Sequence, residues 1–187
     1  MSNGYEVLLD GQAIARIVRR MAYEIIERTR TIERLGLVGV RRGGVPIARR
    51  IAAELLRAED RAVPVGTVDI ALYRDDAATA LPDPKIGPSD VSFDVDGWDI
   101  VVVDDVLHTG RTARAAIECL LDYGRPRRVW LGVLCDRGGR ELPIAPDFVG
   151  RSVDVPEGRM LNVVLDSATP DRAVVEWQGG SPGASGD

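Results

Sequence analysis

The chain of 187 residues is short of lysine, histidine and cysteine. Its one lysine is Lys85 and its one histidine is His108. Cys119 falls in a helical pattern and Cys135 at the end of an apolar strand, so both read as buried thiols rather than as a disulfide. No run is apolar enough to span a membrane and no signal-peptide pattern opens the chain, so the cytoplasm is the expected compartment. An excess of positive charge is missing too: the net charge is −5, which argues against a protein coated in basic side chains. Yet all but one of the 24 basic residues are arginine, whose planar fork suits phosphates and nucleic acid. A coding bias would give the same count, and composition leaves a local basic patch open.

Hydrophobic content of 45% and charged content of 28% are ordinary for a globular chain, and one domain over residues 1–177 is expected. Its centre is Ile100-Val101-Val102-Val103, a strand buried on both faces, which runs into Asp104 and Asp105. The segment Val106-Leu107-His108-Thr109-Gly110-Arg111-Thr112 follows and leads into a helix over Ala113–Tyr123. In an open parallel sheet, ligands bind beyond the carboxyl ends of the strands. Backbone N–H groups, two hydroxyls and a helix N-terminus there make an anion site suited to a phosphate. Two carboxylates cannot share that phosphate, so they suit neighbouring hydroxyls or a cation. Hydroxyls beside a phosphate on one small ring describe a ribose 5-phosphate. A receiver-type magnesium site would place its acids early, with a lysine on a later strand. Here the pair lies past the midpoint and Lys85 falls in a loop, so that alternative is set aside.

The other elements are consistent with an α/β chain. Gln12–Arg30 reads as a helix capped by Asp10, with Ile14, Ile17, Val18, Met21, Ile25 and Ile26 on its apolar stripe. Arg16, Arg19, Arg20 and Tyr23 share another face, either a solvated surface or a basic, partly aromatic one for RNA. Leu35–Val40 is a strand that turns through Arg41-Arg42-Gly43 into a helix over Ile47–Arg57, a second anion-binding corner suited to pyrophosphate. Val65–Tyr73 reads as a strand, and the polar run at about 74–92 as an active-site flap. Val129–Cys135 is a buried strand, weaker strands follow at Leu161–Leu165 and Val174–Trp177, and the Gly- and Ser-rich 178–187 reads as a disordered tail.

The apolar strand, paired acids and Thr109-Gly110-Arg111-Thr112 resemble the signature of type I phosphoribosyltransferases. Two further blocks, Asp69-Ile70-Ala71-Leu72-Tyr73-Arg74-Asp75-Asp76 and Asp136-Arg137-Gly138-Gly139-Arg140-Glu141-Leu142-Pro143-Ile144, are similar to the pyrimidine operon regulator family, PyrR, whose members are also uracil phosphoribosyltransferases. The resemblance runs from about Leu8 to Trp177. It implies the type I phosphoribosyltransferase fold: a central, mostly parallel sheet flanked by helices, with a hood at about 136–177 joined by the N-terminal segment.

It also implies a reaction of uracil with phosphoribosyl pyrophosphate, aided by Mg2+, giving uridine monophosphate (UMP) and pyrophosphate. On this reading Asp104 and Asp105 hold the ribose hydroxyls, directly or through the metal, and Val106–Thr112 wraps the 5-phosphate. Arg41, Arg42 and Gly43 hold pyrophosphate in a loop that often carries a non-proline cis peptide in the superfamily. Arg74 arrives with the flap, and Asp136 and Arg137 read the uracil edge. His108, where close relatives carry Tyr, lends its backbone rather than its ring.

The regulatory half of the resemblance implies binding to pyrimidine operon leader mRNA, promoted by the uridine nucleotides UMP or UTP, and transcription attenuation. Arg19, Arg20, Tyr23, Arg140 and Arg151 are the candidate contacts. The family forms dimers that associate further, so a homodimer or higher homo-oligomer is expected. The chain departs from the family at Arg42-Gly43-Gly44, usually Thr-Arg-Gly, at Gly139, usually His, at Ala145, usually Arg, and at Tyr23, often His. Two alternatives from other classes are an RNA-binding regulator with residual catalysis and a phosphoribosyltransferase without an RNA role. A purine enzyme commonly stacks an aromatic residue just after the last core strand, and Cys135-Asp136-Arg137-Gly138 supplies none.

Overall fold

The structure, a computed structural model, describes residues 5–29, 31–71, 73, 89–165 and 169–177. Arg74, Lys85, most of the expected flap and the 178–187 tail lie outside the described residues. The chain order is β1 (Tyr5–Asp10), α1 (Gly11–Thr29), β2 (Leu35–Val40), α2 (Gly44–Glu59), β3 (Val65–Val68) and β4 (Asp99–Leu107). It continues with α3 (Arg111–Leu121), β5 (Arg128–Asp136), β6 (Phe148–Ser152), β7 (Arg159–Val164) and β8 (Arg172–Trp177).

Five strands pair in parallel in the order β3-β2-β4-β5-β6. The β-branched run of β4 explains its central place, because each strand face packs on a different helix layer. Val101 and Val103 pack with Ile14, Met21 and Ile25 of α1 and Ile47, Ile51 and Leu55 of α2. Ile100 and Val102 pack on the opposite side with Ala113, Ala116 and Leu120 of α3. The expected cap of the first helix is present: Ala13 N donates to Asp10 Oδ1 at 2.7 Å. Both cysteines are buried free thiols. Among the described residues, no helix is long and apolar enough to cross a membrane.

A second, antiparallel sheet of order β1-β8-β7 forms the hood. Arg50 of α2 holds it down through a bidentate pair with Asp171, at 2.7 and 3.1 Å, just before β8. β6, inside the 136–177 span, is the edge strand of the large sheet rather than part of the small one. The strand expected over Val65–Tyr73 ends at Val68, because the next residue turns the chain. Asp69 Oδ1 accepts from Ala71 N at 3.0 Å, and Asp69 N donates to the Ser89 hydroxyl at 2.8 Å. An aspartate that bonds its own backbone two residues on competes with the ladder.

Candidate active site

The carboxyl ends of β2 and β4 open onto a cavity of about 790 Å³. Arg41, Arg42 and Gly43 line it on one side, Asp104, Asp105, Val106 and Thr112 on the other, and Val163 to Leu165 of the hood region also border it. Two helices start at this cavity, and both are preceded by glycine, Gly43 before α2 and Gly110 before α3. Glycine has no side chain to satisfy the first-turn N–H groups, so both helix starts present unsatisfied donors and positive dipole ends. Such ends favour anions, and the cavity has two of them with an acidic pair between.

Asp104 is buried, 7% exposed, and its Oδ1 accepts from Asp105 N at 2.9 Å. Asp105 Oδ1 accepts from Val106 N at 2.8 Å, which fixes that carboxylate as well. Gly43 has helical backbone angles, φ −68° and ψ −32°, that any residue adopts. Its need for glycine is steric, since a Cβ there would overlap the Asp105 carboxylate. The Arg41–Arg42 peptide is cis, as the resemblance led one to expect. Neither of these arginines pairs with an acid among the described residues, leaving both free for an anion.

The phosphate segment is shorter as a loop than the sequence suggests. β4 continues through Leu107, with Val106 opposite Cys135 and Leu107 opposite Asp136. The loop proper is His108-Thr109-Gly110, ending on Gly110 at φ +93°, and Thr109 Oγ1 accepts from Arg111 N at 3.3 Å. The 137–142 segment braces it from behind. Arg137 N donates to Leu107 O at 3.0 Å, and Glu141 N and Leu142 N donate to Thr109 O at 2.9 and 3.1 Å. Arg111 pairs with Glu141 at 2.8 Å. His108 Nδ1 lies 2.9 Å from Gly138 O; a carbonyl only accepts, so Nδ1 carries the proton. The ring turns toward Gly139, φ +73°, where a Cβ would come within 2.6 Å of it, and it does not line the cavity.

Asp136 and Arg137 line a second cavity of about 520 Å³ with Gly138, Ser152, Val153 and Asp154. Burial alone would raise the Asp136 carboxyl. The Arg140 hydrogen bond, the Gly138 N–H and the Arg140 charge outweigh it and hold the group below the ordinary carboxylate range. Arg140 spends its guanidinium inside the protein, on Asp136 at 2.7 Å, His108 O at 2.9 Å and Ile144 O at 3.0 Å. The buried Cys135 thiol is pushed up to about 12 by burial and by the nearby Asp105 charge, against a smaller opposing pull from Arg151. It stays protonated at neutral pH.

The remaining RNA candidates lie on one side of α1 and, for Arg151, near the end of β6. Arg19 pairs with Glu54 at 3.4 Å, Arg20 pairs with Glu24, and Tyr23 is 54% exposed. The bracing of Leu107 by Arg137 and of Arg111 by Glu141 has no signature in the sequence, because hydrogen bonds between segments thirty residues apart leave no local pattern.

A parallel sheet with two glycine-preceded helix starts, an acidic pair at the strand end and a small antiparallel hood defines the architecture of a phosphoribosyl-binding α/β protein. Comparison with known proteins agrees and narrows it. The phosphoribosyl transferase domain family matches residues 4–158. The Bifunctional protein PyrR of Thermoanaerobacter sp. is 46% identical over 168 residues, 90% of this chain and 94% of that protein. The PyrR of Roseiflexus sp. is 51% identical over 150 residues, 80% and 82% of the two chains. The hypoxanthine phosphoribosyltransferase of Trypanosoma cruzi shares the fold, with a TM-score of 0.67 at 16% identity over 92% of this chain and 97% of that one. That of Staphylococcus aureus has a TM-score of 0.61 at 19% identity, covering 80% and 78%. The chain belongs to the phosphoribosyltransferase family and, within it, to the bifunctional PyrR proteins.

Proposed function

We propose that the chain transfers a 5-phosphoribosyl group from phosphoribosyl pyrophosphate to uracil, giving UMP and pyrophosphate, and that it also binds pyrimidine operon leader mRNA in a uridine-nucleotide-dependent way. The observation that carries the enzymatic half is the pair of open helix starts flanking Asp104 and Asp105 in one 790 Å³ cavity. A substrate with a phosphate at one end, a diphosphate at the other and hydroxyls between matches that order of groups. The α3 start with Thr109 and Thr112 takes the 5-phosphate, and the α2 start with Arg41 and Arg42 takes the diphosphate.

In the reaction, the C1–oxygen bond to pyrophosphate breaks, its electron pair leaves with the diphosphate, and uracil N1 bonds to C1 and loses its proton. The sugar passes through an oxocarbenium-like state, so positioning and preorganised charge supply most of the catalysis. Asp104 and Asp105, held by backbone N–H groups, fix the ribose hydroxyls and favour the developing positive charge. Arg41 and Arg42 stabilise the departing diphosphate. Asp136 and Arg137, beside the second cavity, read the polar edge of uracil.

Among the described residues, no group of three His, Cys, Asp or Glu side chains is placed to hold a metal ion. Two carboxylates facing a phosphate site nevertheless fit Mg2+, which is bound by one or two carboxylates with substrate phosphates and waters completing its shell. When bound, it would neutralise diphosphate charge, with Asp104 and Asp105 as its protein side. Arg74 is the further cation expected over the diphosphate.

The regulatory half rests on the family and on the arginine-bearing face of α1. Self-association as a homodimer or larger homo-oligomer and a cytoplasmic location belong to the same reading. The test is UMP formation from uracil, phosphoribosyl pyrophosphate and Mg2+, with hypoxanthine and orotate in parallel, followed by titration with leader RNA with and without UMP. Turnover on uracil alone and UMP-enhanced RNA binding are expected. Turnover on hypoxanthine or orotate instead would overturn the substrate assignment.

A further inference from the structure

Tyr73 lies lengthwise along α3, the helix whose start borders the cavity of the acidic pair. Its carbonyl accepts from Arg114 Nη2 at 2.8 Å, in the first turn of the helix. Its hydroxyl donates to Asp122, the residue that caps the other end. The ring between these two anchors packs against the cluster that holds Ala116, Cys119 and Leu120. The hydrogen bond to Asp122, ahead of desolvation, pushes the phenol above its ordinary value, so it stays protonated and keeps donating.

The contact ties together the two anion corners, one through each end of a short turn. On the α3 side, Arg114 N donates to Gly110 O at 2.9 Å, and its guanidinium spans Tyr73 O and Glu118, the latter at 2.6 Å. Cys119 Sγ, midway along the helix, lies 4.0 Å from Asp69 O. Within the turn, Tyr73 N donates to Ile70 O at 2.9 Å, and buried Ile70 lines the cavity beside Arg41 and Arg42. Just before it, Val68 O accepts from Arg41 N at 2.9 Å. A continuous path of hydrogen bonds and backbone thus runs from the start of α3 through Tyr73 to Arg41. A substrate held at both ends needs both corners at the right separation at once, and a site already set to that spacing loses less affinity to ordering.

We propose that Tyr73, Arg114 and Asp122 are positioning residues for phosphoribosyl pyrophosphate: they hold the Asp69–Tyr73 turn on α3 and so fix the distance between the 5-phosphate corner and the diphosphate corner. The proposal rests on the enzymatic half of the functional reading. None of the three lines the cavity, so their effect is indirect.

The experiment measures kcat and the KM values for phosphoribosyl pyrophosphate and uracil, with Mg2+, in the wild type, Tyr73→Phe, Asp122→Ala, Asp122→Asn and Arg114→Ala. UMP affinity by calorimetry and thermal melting accompany it. UMP fills the 5-phosphate corner and leaves the diphosphate corner empty, so its affinity is insensitive to the spacing between them. Tyr73→Phe and Asp122→Ala are expected to raise KM for phosphoribosyl pyrophosphate about fivefold, the size of one neutral hydrogen bond, and Arg114→Ala about tenfold. The KM for uracil and the affinity for UMP should stay near the wild-type values. Asp122→Asn, whose amide oxygen still accepts from the phenol, should recover most of the loss. An unchanged KM for phosphoribosyl pyrophosphate in folded Tyr73→Phe and Asp122→Ala would overturn the proposal. Equal weakening of UMP and phosphoribosyl pyrophosphate would overturn it too, since that is general loosening of α3. If Arg114→Ala fails to fold, Tyr73→Phe, which removes a single oxygen, decides alone. A wild-type protein with no turnover of phosphoribosyl pyrophosphate would overturn the enzymatic reading and the proposal with it.

Discussion

Gly43 and Asp105 are packed so closely that a methyl group on the glycine would occupy the place of the carboxylate. The loop proposed to take pyrophosphate and the acid proposed to hold ribose are thus set against each other, one at the start of α2 and the other at the end of β4. Gly43→Ala keeps allowed backbone angles, so its effect is expected on the site rather than on the fold. A displacement of about 1 Å at a reacting centre costs roughly a hundredfold. We expect kcat/KM for UMP formation to fall by about that factor, with the melting temperature nearly unchanged. A variant that melts normally and turns over like the wild type would show that Asp105 needs no fixed position.

Replacing Asp104 and Asp105 together by asparagine keeps the shape of both side chains and removes the charge that lines the cavity and is proposed to face the sugar. Losing one preorganised electrostatic group typically costs about 10²–10³-fold in kcat. The double variant is expected to lose at least that much transfer while its circular dichroism stays native. Undiminished turnover would place the ribose site elsewhere.

Much of this architecture was legible because it follows from local patterns. The β4 run of Ile100 to Val103, the acids after it and the Asp10 cap each depend on neighbours within a few residues. The edge strand β6 was hidden, since Phe148 to Ser152 is too short and too polar at its end to show a strand period. The early end of β3 was also hidden, because the Asp69 turn is completed by Ser89, twenty residues on. Within the site, the acidic pair and the two strand-to-helix turns that flank it could be read from residue type and spacing. The inward commitment of Arg140 could not: a solvent-facing arginine and one that bonds His108 O, Ile144 O and Asp136 have the same sequence signature.

His108 gives a prediction of the opposite sign. As the sole histidine in a phosphate loop it invites a general-base role, but its ring bonds Gly138 O and packs over Gly139, outside the cavity lining. His108→Ala is therefore expected to change kcat less than threefold, well short of the roughly 10²-fold minimum for loss of an acid–base group. A fall in kcat of about 10²-fold or more, with the fold intact, would restore the catalytic role.

Asp136 links the site to acid stability. Its folded carboxyl titrates below the ordinary value because Arg140 and the Gly138 N–H outweigh the burial that would raise it. A carboxyl whose folded value lies below its unfolded value binds protons less readily in the native state, so it stabilises the native state once the unfolded carboxyl has ionised. That contribution is present above the unfolded value of about 3.9 and is lost as pH falls from there through the lower folded value. Asp136→Asn is accordingly expected to melt below the wild type at neutral pH. The gap between the two melting curves should hold steady down to about pH 5 and close below about pH 4. Because Arg140 would lose its charged partner while keeping His108 O and Ile144 O, the variant should remain folded and its melting should still be measurable. A gap that stayed constant into acid would mean that the Asp136–Arg140 pair adds shape but no charge-dependent stability.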